Sequence, residues 1–305
     1  MRTFNKISYC SSTPSVVALG CFDGVHLGHA SVIKRAVEIA KKLSLPCIVF
    51  TFDEPPKSLF LSEPTPLITS FKKKAELISE LGADILLSVP FTMDIARLSP
   101  IDFAQKILAN NLYAAHIVCG SDYTFGSMAK GNTDTLAVFC NERKIGLTVM
   151  PKLEVDGDCI SSTLIRELIA DGNIERATTL LGRAYSISSE VIEDKGLARK
   201  LGFATANQVF SQKALIPLNG VYATRAIIDG IRYPAITNIG TRPTVNGDTM
   251  CAETHVLDFN DNIYGKVIEI ELVKFIRNEK KFNSLNELKA QILIDIQQVR
   301  DYFNL

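Results

Sequence analysis

Two rhythms of apolar residues divide this chain. From Val16 to about Tyr185, short β-branched apolar runs alternate with stretches whose apolar positions recur every three or four residues. The first kind reads as a buried strand and the second as one face of a helix. Ser15 to Leu19 is the first such strand, and Val32, Ile33, Ala36, Val37, Ala40 and Leu43 mark the helix after it. The spacing then predicts a strand at Cys47 to Phe52, a helix at Phe71 to Leu81 and a strand at Asp84 to Val89. Pro100 to Leu112 is expected to be helical, with Ser99 as its cap and Pro100 at the first helical position, where a missing N–H is harmless. Further strands are expected at His116 to Gly120 and Leu147 to Leu153, and helices at Ser162 to Ala170 and Ile174 to Leu181. Strands alternating with helices imply an α/β fold, a parallel sheet covered on both faces. Beyond Tyr185 the rhythm changes to short β segments: Tyr185 to Ile192, Gly220 to Ile228, Ile231 to Asn238, Glu253 to Phe259 and Val267 to Ile276. Asp229-Gly230 between two of them is a hairpin signal. A last amphipathic helix, Leu285 to Phe303, carries Leu288, Ile292, Ile296, Val299 and Phe303 on one side. The second half is therefore expected to be a small antiparallel β-barrel with a terminal helix, divided from the first near 184–186.

Composition narrows the picture. A chain of 305 residues exceeds what one core usually supports, so two domains are expected, 1–184 and 185–305. Lys+Arg and Asp+Glu balance at 33 each, which argues against an electrostatic nucleic-acid binder but not against a compact basic site for phosphates. The seven cysteines are scattered without a C-x-x-C pair, as expected in a reducing compartment. Met1 to Thr13 lacks an apolar signal core, and no run of about 18 apolar residues occurs, so a soluble cytoplasmic protein without a membrane partner is expected. Homo-oligomerisation is left open.

Three segments carry candidate chemistry. Gly20-Cys21-Phe22-Asp23-Gly24-Val25-His26-Leu27-Gly28-His29 is a glycine-punctuated turn from a buried strand into a helix. A helix start offers unpaired N–H groups to an anion, and His26 and His29, three apart, share a face there. Structural histidines and, more weakly, a metal site are the alternatives. Ile160-Ser161-Ser162-Thr163-Leu164-Ile165-Arg166 opens a helix on three hydroxyls, yet its first turn holds a cation against the helix dipole; a bound phosphate would account for that. Gly120-Ser121-Asp122-Tyr123-Thr124-Phe125-Gly126 is a polar and aromatic loop after a strand end, either a plain surface loop or a wall for a flat aromatic ligand. In parallel sheets ligands bind outside the carboxyl ends of strands, where Gly20 and Gly120 fall. Neither a G-x-G-x-x-G nor a Walker pattern is present.

Together these segments resemble the adenylyltransferase half of bacterial bifunctional riboflavin kinase/FMN adenylyltransferases, the FAD synthetases. The second half is similar as well, through Leu201-Gly202-Phe203-Ala204-Thr205-Ala206-Asn207, Asn238-Ile239-Gly240-Thr241-Arg242-Pro243-Thr244, Glu253-Thr254-His255, Tyr264-Gly265-Lys266 and Phe275-Ile276-Arg277. The resemblance implies two reactions: phosphorylation of riboflavin to FMN, and adenylyl transfer from ATP to FMN giving FAD and pyrophosphate. It implies ATP contacts at Gly20, Phe22, Asp23, Gly24, His26, His29, Ser162, Thr163 and Arg166, with the histidines catalytic. It puts Asp122 and Phe125 against the flavin. In the kinase half it implies ATP contacts at Gly196, Arg199, Thr205 and Asn207, the last two with Mg²⁺, a flavin site at Arg242, Thr244 and Arg277, and Glu253 as general base. Small molecules are the implied partners. The chain departs from the family at Pro55, where a histidine is usual, leaving that charge stabilisation lost or supplied by another group such as Lys57. It also departs at Asp194, Ala198 and Ala204, in place of two glycines and a proline. An acid beside phosphates is unfavourable, so a chain with only its first activity, and a non-catalytic flavin-nucleotide binder, are the competing readings.

Overall fold

The computed structural model describes residues 1–193, 203–244 and 247–305, excluding the side chains of 242–248. The chain divides into two compact units, Met1–Ser162 and Thr163–Leu305.

The first unit is built on β1 (Arg2–Phe4), β2 (Ser15–Leu19), α1 (Leu27–Leu43), β3 (Cys47–Phe52), α2 (Phe71–Glu80), β4 (Ile85–Val89), α3 (Met93–Ala96), α4 (Pro100–Phe103), β5 (Ala114–Gly120), α5 (Thr133–Arg143), β6 (Gly146–Met150), β7 (Glu154–Val155) and β8 (Asp158–Cys159). Six strands form one sheet in the order β1-β4-β3-β2-β5-β6, every pairing parallel. Its apolar runs are continuous because both faces are covered. Val17, Leu19, Ile48, Phe50, Ile85 and Leu87 enter one core, while their neighbours Val16, Ala18, Val49, Leu86 and Val118 enter the other with α1. This is the burial a parallel sheet requires.

The helix expected from Pro100 is capped as foreseen, Ser99 Oγ accepting from the Asp102 N–H at 3.0 Å. After Phe103 it continues to Asn111 with π-helical bonding, closed by Leu112 N–H to Ile107 O. The last sheet strand stops at Met150 rather than Leu153, because Pro151 has no N–H for the ladder. β1, α3, α5 and the β7–β8 hairpin lie outside the expected pattern. In α5 the buried face is only Leu136, Phe139 and Cys140, and Val138 between them is 62% exposed, so apolarity and burial part company there.

The second unit opens with α6 (Ser162–Ala170, whose first residue closes the preceding unit) and α7 (Ile174–Leu181). It continues with β9 (Tyr185–Ile192), β10 (Ala206–Val209), β11 (Gly220–Ile228), β12 (Ile231–Thr244), β13 (Gly247–Val256), β14 (Val267–Arg277) and α8 (Leu285–Phe303). The strands close into an antiparallel barrel in the order β10-β13-β12-β11-β14-β9, sealed by β9 against β10. The expected sheet, barrel and terminal helix are all present. The β12–β13 ribbon reaches Thr244 opposite Gly247, well past the expected Asn238, and β13 ends at Val256 rather than Phe259. The barrel ladder overrides the turn-like Thr-Arg-Pro-Thr composition there. Val299 of α8 is fully buried against Val221, Ala223, Ile236 and Leu257.

Candidate active sites

In the first unit the chain leaving β2 makes a turn that few residues tolerate. Phe22, Gly24 and Val25 have φ of 48°, 84° and 38°, and a positive φ at a bulky or β-branched residue is strained. Gly20 is required because a Cβ there would lie 2.7 Å from the Phe22 ring. The turn is gripped by the residues leading into α2. The Asp23 carboxylate accepts from the Ile68 and Thr69 amides at 3.1 and 3.2 Å, and the Gly24 N–H donates to Thr69 Oγ1 at 3.2 Å. Ser162 Oγ donates to the Asp23 carbonyl at 2.9 Å. Asp23 thus fixes the turn, its carboxylate directed at Ile68 and Thr69.

His26 is the N-cap of α1, its Nδ1 accepting from the His29 N–H at 3.2 Å. This places the two imidazoles face to face, centroids 3.5 Å apart and planes 18° from parallel. The edge of Phe22 meets His29 at 5.3 Å. A paired donor surface at a helix start is suited to an anion. Sequence reasoning missed one residue beside this turn. Lys74 of α2 is 2% exposed and donates to the Phe52 and Cys21 carbonyls at 3.1 and 3.4 Å. Burial lowers its pKa, opposed by the nearby Asp23, Cys21 and Asp53.

The loop after β5 separates the two residues expected to face a flavin. Asp122 is on the surface with Lys152 at 3.5 Å. Phe125 turns inward, 6% exposed, against Phe103 and Tyr123, each 5.7 Å away. Its ring packs into the core, where burying it is favourable.

In the second unit Thr163 is the second residue of α6 and Arg166 the fifth, one turn further along. In the barrel, Asn207 of β10 and Asn238 of β12 both stand opposite Glu253 of β13, so the three form one cross-strand row. Asn238 is the member that sequence reasoning had not singled out as a site residue. Asn207 is 3% exposed; its Nδ2 reaches Thr205 Oγ1 at 3.4 Å, and its Oδ1 has no hydrogen-bond partner among the described residues. Nearby, His255 Nδ1 bonds the Ala204 carbonyl at 2.8 Å and its ring meets Phe203 edge-on. Arg277, expected at a flavin, has its donors elsewhere. Nε and Nη2 grip Asp295 of α8 at 3.0 and 2.7 Å, and Nη1 donates to the Asn278 carbonyl. Asp295 has a 3% exposed side chain, and a buried carboxylate demands such a partner. Gly196 and Arg199, with Asp194 and Ala198, lie outside the described residues, as do the Arg242 and Thr244 side chains.

Comparison with known proteins follows the same division. The FAD synthetase family model matches residues 10–164 and the riboflavin kinase model residues 181–303. The bifunctional riboflavin kinase/FMN adenylyltransferase of Bacillus subtilis is 38% identical over 295 residues, covering 95% of this chain and 93% of its own. The chain belongs to the bifunctional riboflavin kinase/FMN adenylyltransferase family. The family member from Escherichia coli K12 is 35% identical over all of this chain and 98% of its own. A crystal structure from Streptococcus pneumoniae, described as a macrolide-efflux protein, superposes with a TM-score of 0.89 at 30% identity, over 98% of this chain and 99% of that one. In this family member no described helix is long and apolar enough to cross a membrane.

Proposed function

We propose that this chain carries both steps of FAD formation from riboflavin, riboflavin phosphorylation by 185–305 and adenylyl transfer by 1–184. The observation that carries the reading is the stacked His26–His29 pair at the start of α1, in a chain whose two halves match the two enzymes' models. In adenylyl transfer an FMN phosphate oxygen attacks the α-phosphorus of ATP, and the bond to the β-phosphate oxygen breaks as pyrophosphate leaves. Such a reaction is driven by positioning and charge stabilisation. The turn from Gly20 to Gly24 and the amides opening α1 cradle the phosphates, and His26 and His29 donate to oxygens gaining charge. The Ser162-Thr163-Arg166 motif takes the departing phosphates, as the resemblance implies, and Asp122 faces the flavin.

In the kinase step Glu253 takes the proton of the ribityl hydroxyl as its oxygen attacks the γ-phosphorus of ATP and ADP leaves. Thr205 and Asn207 would hold Mg²⁺ together with the ATP phosphates, its charge neutralising the phosphoryl oxygens. The buried Asn207 Oδ1, a hard oxygen without a hydrogen bond among the described residues, fits that ion. The register Asn207–Glu253–Asn238 supports keeping base and metal ligand side by side. Balanced charge and the absence of any disulfide support cytoplasmic work on small molecules. The test is the purified chain with riboflavin, ATP and Mg²⁺, products resolved over time. FMN followed by FAD is expected. FAD only from supplied FMN leaves 1–184 alone active, and no product from either flavin overturns the proposal.

A further inference from the structure

Lys74 is an unfavourable residue where it stands. It lies in the first turn of α2, among three lysines and no acid, where a cation opposes the helix dipole. It is also 2% exposed, and burying an ammonium is costly without strong partners. Its partners are backbone carbonyls at two strand ends, Phe52 of β3 and Cys21 just after β2. Thr51 Oγ1 donates to the same Cys21 carbonyl at 2.7 Å. The peptide joining Cys21 to Phe22 is therefore held from its oxygen, directly before the residue whose φ is 48°. That φ sends the Phe22 ring, 1% exposed, under Gly20 and edge-on against His29. His29 in turn stacks on His26.

From this chain of contacts we infer that Lys74 is a positioning residue for adenylyl transfer: its ammonium fixes the Cys21–Phe22 peptide, and through the Phe22 ring the plane of His29. Lys74 touches neither imidazole and, being buried, acts beneath the phosphate site rather than in it. Ile68, Thr69 and Lys74 grip the turn at three points, Asp23, Gly24 and Cys21, which makes the start of α2 the bed on which the histidine turn is set.

The inference rests on the function proposed above, and the test separates the two. Wild type, Lys74→Met, His29→Ala and the double variant are assayed for FAD formation from FMN and ATP, with thermal unfolding of each as the measure that the first unit is intact. A methionine keeps the buried volume but removes the donor that ties the Cys21 carbonyl to that of Phe52, leaving Cys21 with Thr51 alone. A misplacement near 1 Å at the reacting groups is expected to lower kcat for FAD formation by about tenfold to a hundredfold. The KM for ATP stays within about threefold, since ground-state binding is largely kept. In the His29→Ala background, Lys74→Met adds no further loss, because the group it positions is gone. An unchanged kcat in Lys74→Met, or losses that multiply in the double variant, overturns the inference. A wild type forming no FAD from FMN overturns the functional reading itself. Should Lys74→Met fail to fold, Lys74→Gln, which keeps a neutral donor for one carbonyl, takes its place in every arm.

Discussion

An imidazole that accepts at Nδ1 keeps its hydrogen on Nε2, and His26 holds that form while it caps α1. The ring does two jobs that substitutions can separate. Asparagine is a good cap without an imidazole, and alanine is neither. His26→Ala is expected to lose about 1 kcal/mol of stability that His26→Asn retains. Both should lose on the order of a hundredfold in FAD formation, with thermal unfolding and steady-state turnover as the two readouts. The cysteines offer a second test. Cys47 and Cys119 are pushed by burial from 9.0 to about 12, and Cys140 to about 11. In the unfolded chain these thiols ionise first, so the stability they contribute is complete below pH 9.0 and is lost as pH rises through those folded values. Denaturant midpoints should therefore fall between about pH 8 and about pH 10. At the lower pH the exposed Cys10, Cys21 and Cys159 should react with a thiol reagent while the four buried ones do not. Bound ATP should slow labelling at Cys21, which sits in the histidine turn.

At the scale of elements, Arg277 and Asp295 show what docks α8 onto the barrel. The fork grips the carboxylate, and Gln291 Nε2 adds a donor at 2.9 Å. Asp295→Ala leaves the guanidinium without its partner and is expected to cost roughly 3–5 kcal/mol. Differential unfolding and loss of riboflavin phosphorylation, with FAD formation from FMN retained, would report it. The strands of the parallel sheet were legible because burial on both faces writes itself as an unbroken apolar run. β1, with two of its three residues exposed, and β10, with Asn207 and Gln208 buried in a ladder, leave no such trace. The histidine turn was legible as a turn into a helix with both imidazoles on one face, since its glycines and histidines sit within ten residues. The contacts of Arg277, Phe125 and Lys74 were not, because each depends on a partner distant in sequence. Asp295, the partner of Arg277, and Lys74 did leave a signal. Asp295 falls three after Ile292 and four before Val299, on the apolar stripe of α8, and Lys74 falls four before the buried Ile78 of α2. A charge on the inward stripe of a helix marks a buried partner, and neither residue was read that way.

For the whole molecule, the two family models match separate stretches, 10–164 and 181–303, so the two reactions should fail separately. His29→Ala fed riboflavin and ATP should accumulate FMN. Glu253→Gln should make FMN roughly a hundred- to ten-thousandfold more slowly but still convert supplied FMN to FAD. Chromatography of both mixtures checks this. A variant in which one substitution silences both steps would contradict the division of labour.

The barrel's seam also bears on how the protein is made. The first unit's sheet receives its last strand at Met150, whereas β9 waits for β14, which ends at Arg277. Domains fold as units while the chain is synthesised, the N-terminal one first. The parallel sheet that carries the histidine turn is thus complete on the ribosome while the barrel is still an open ribbon.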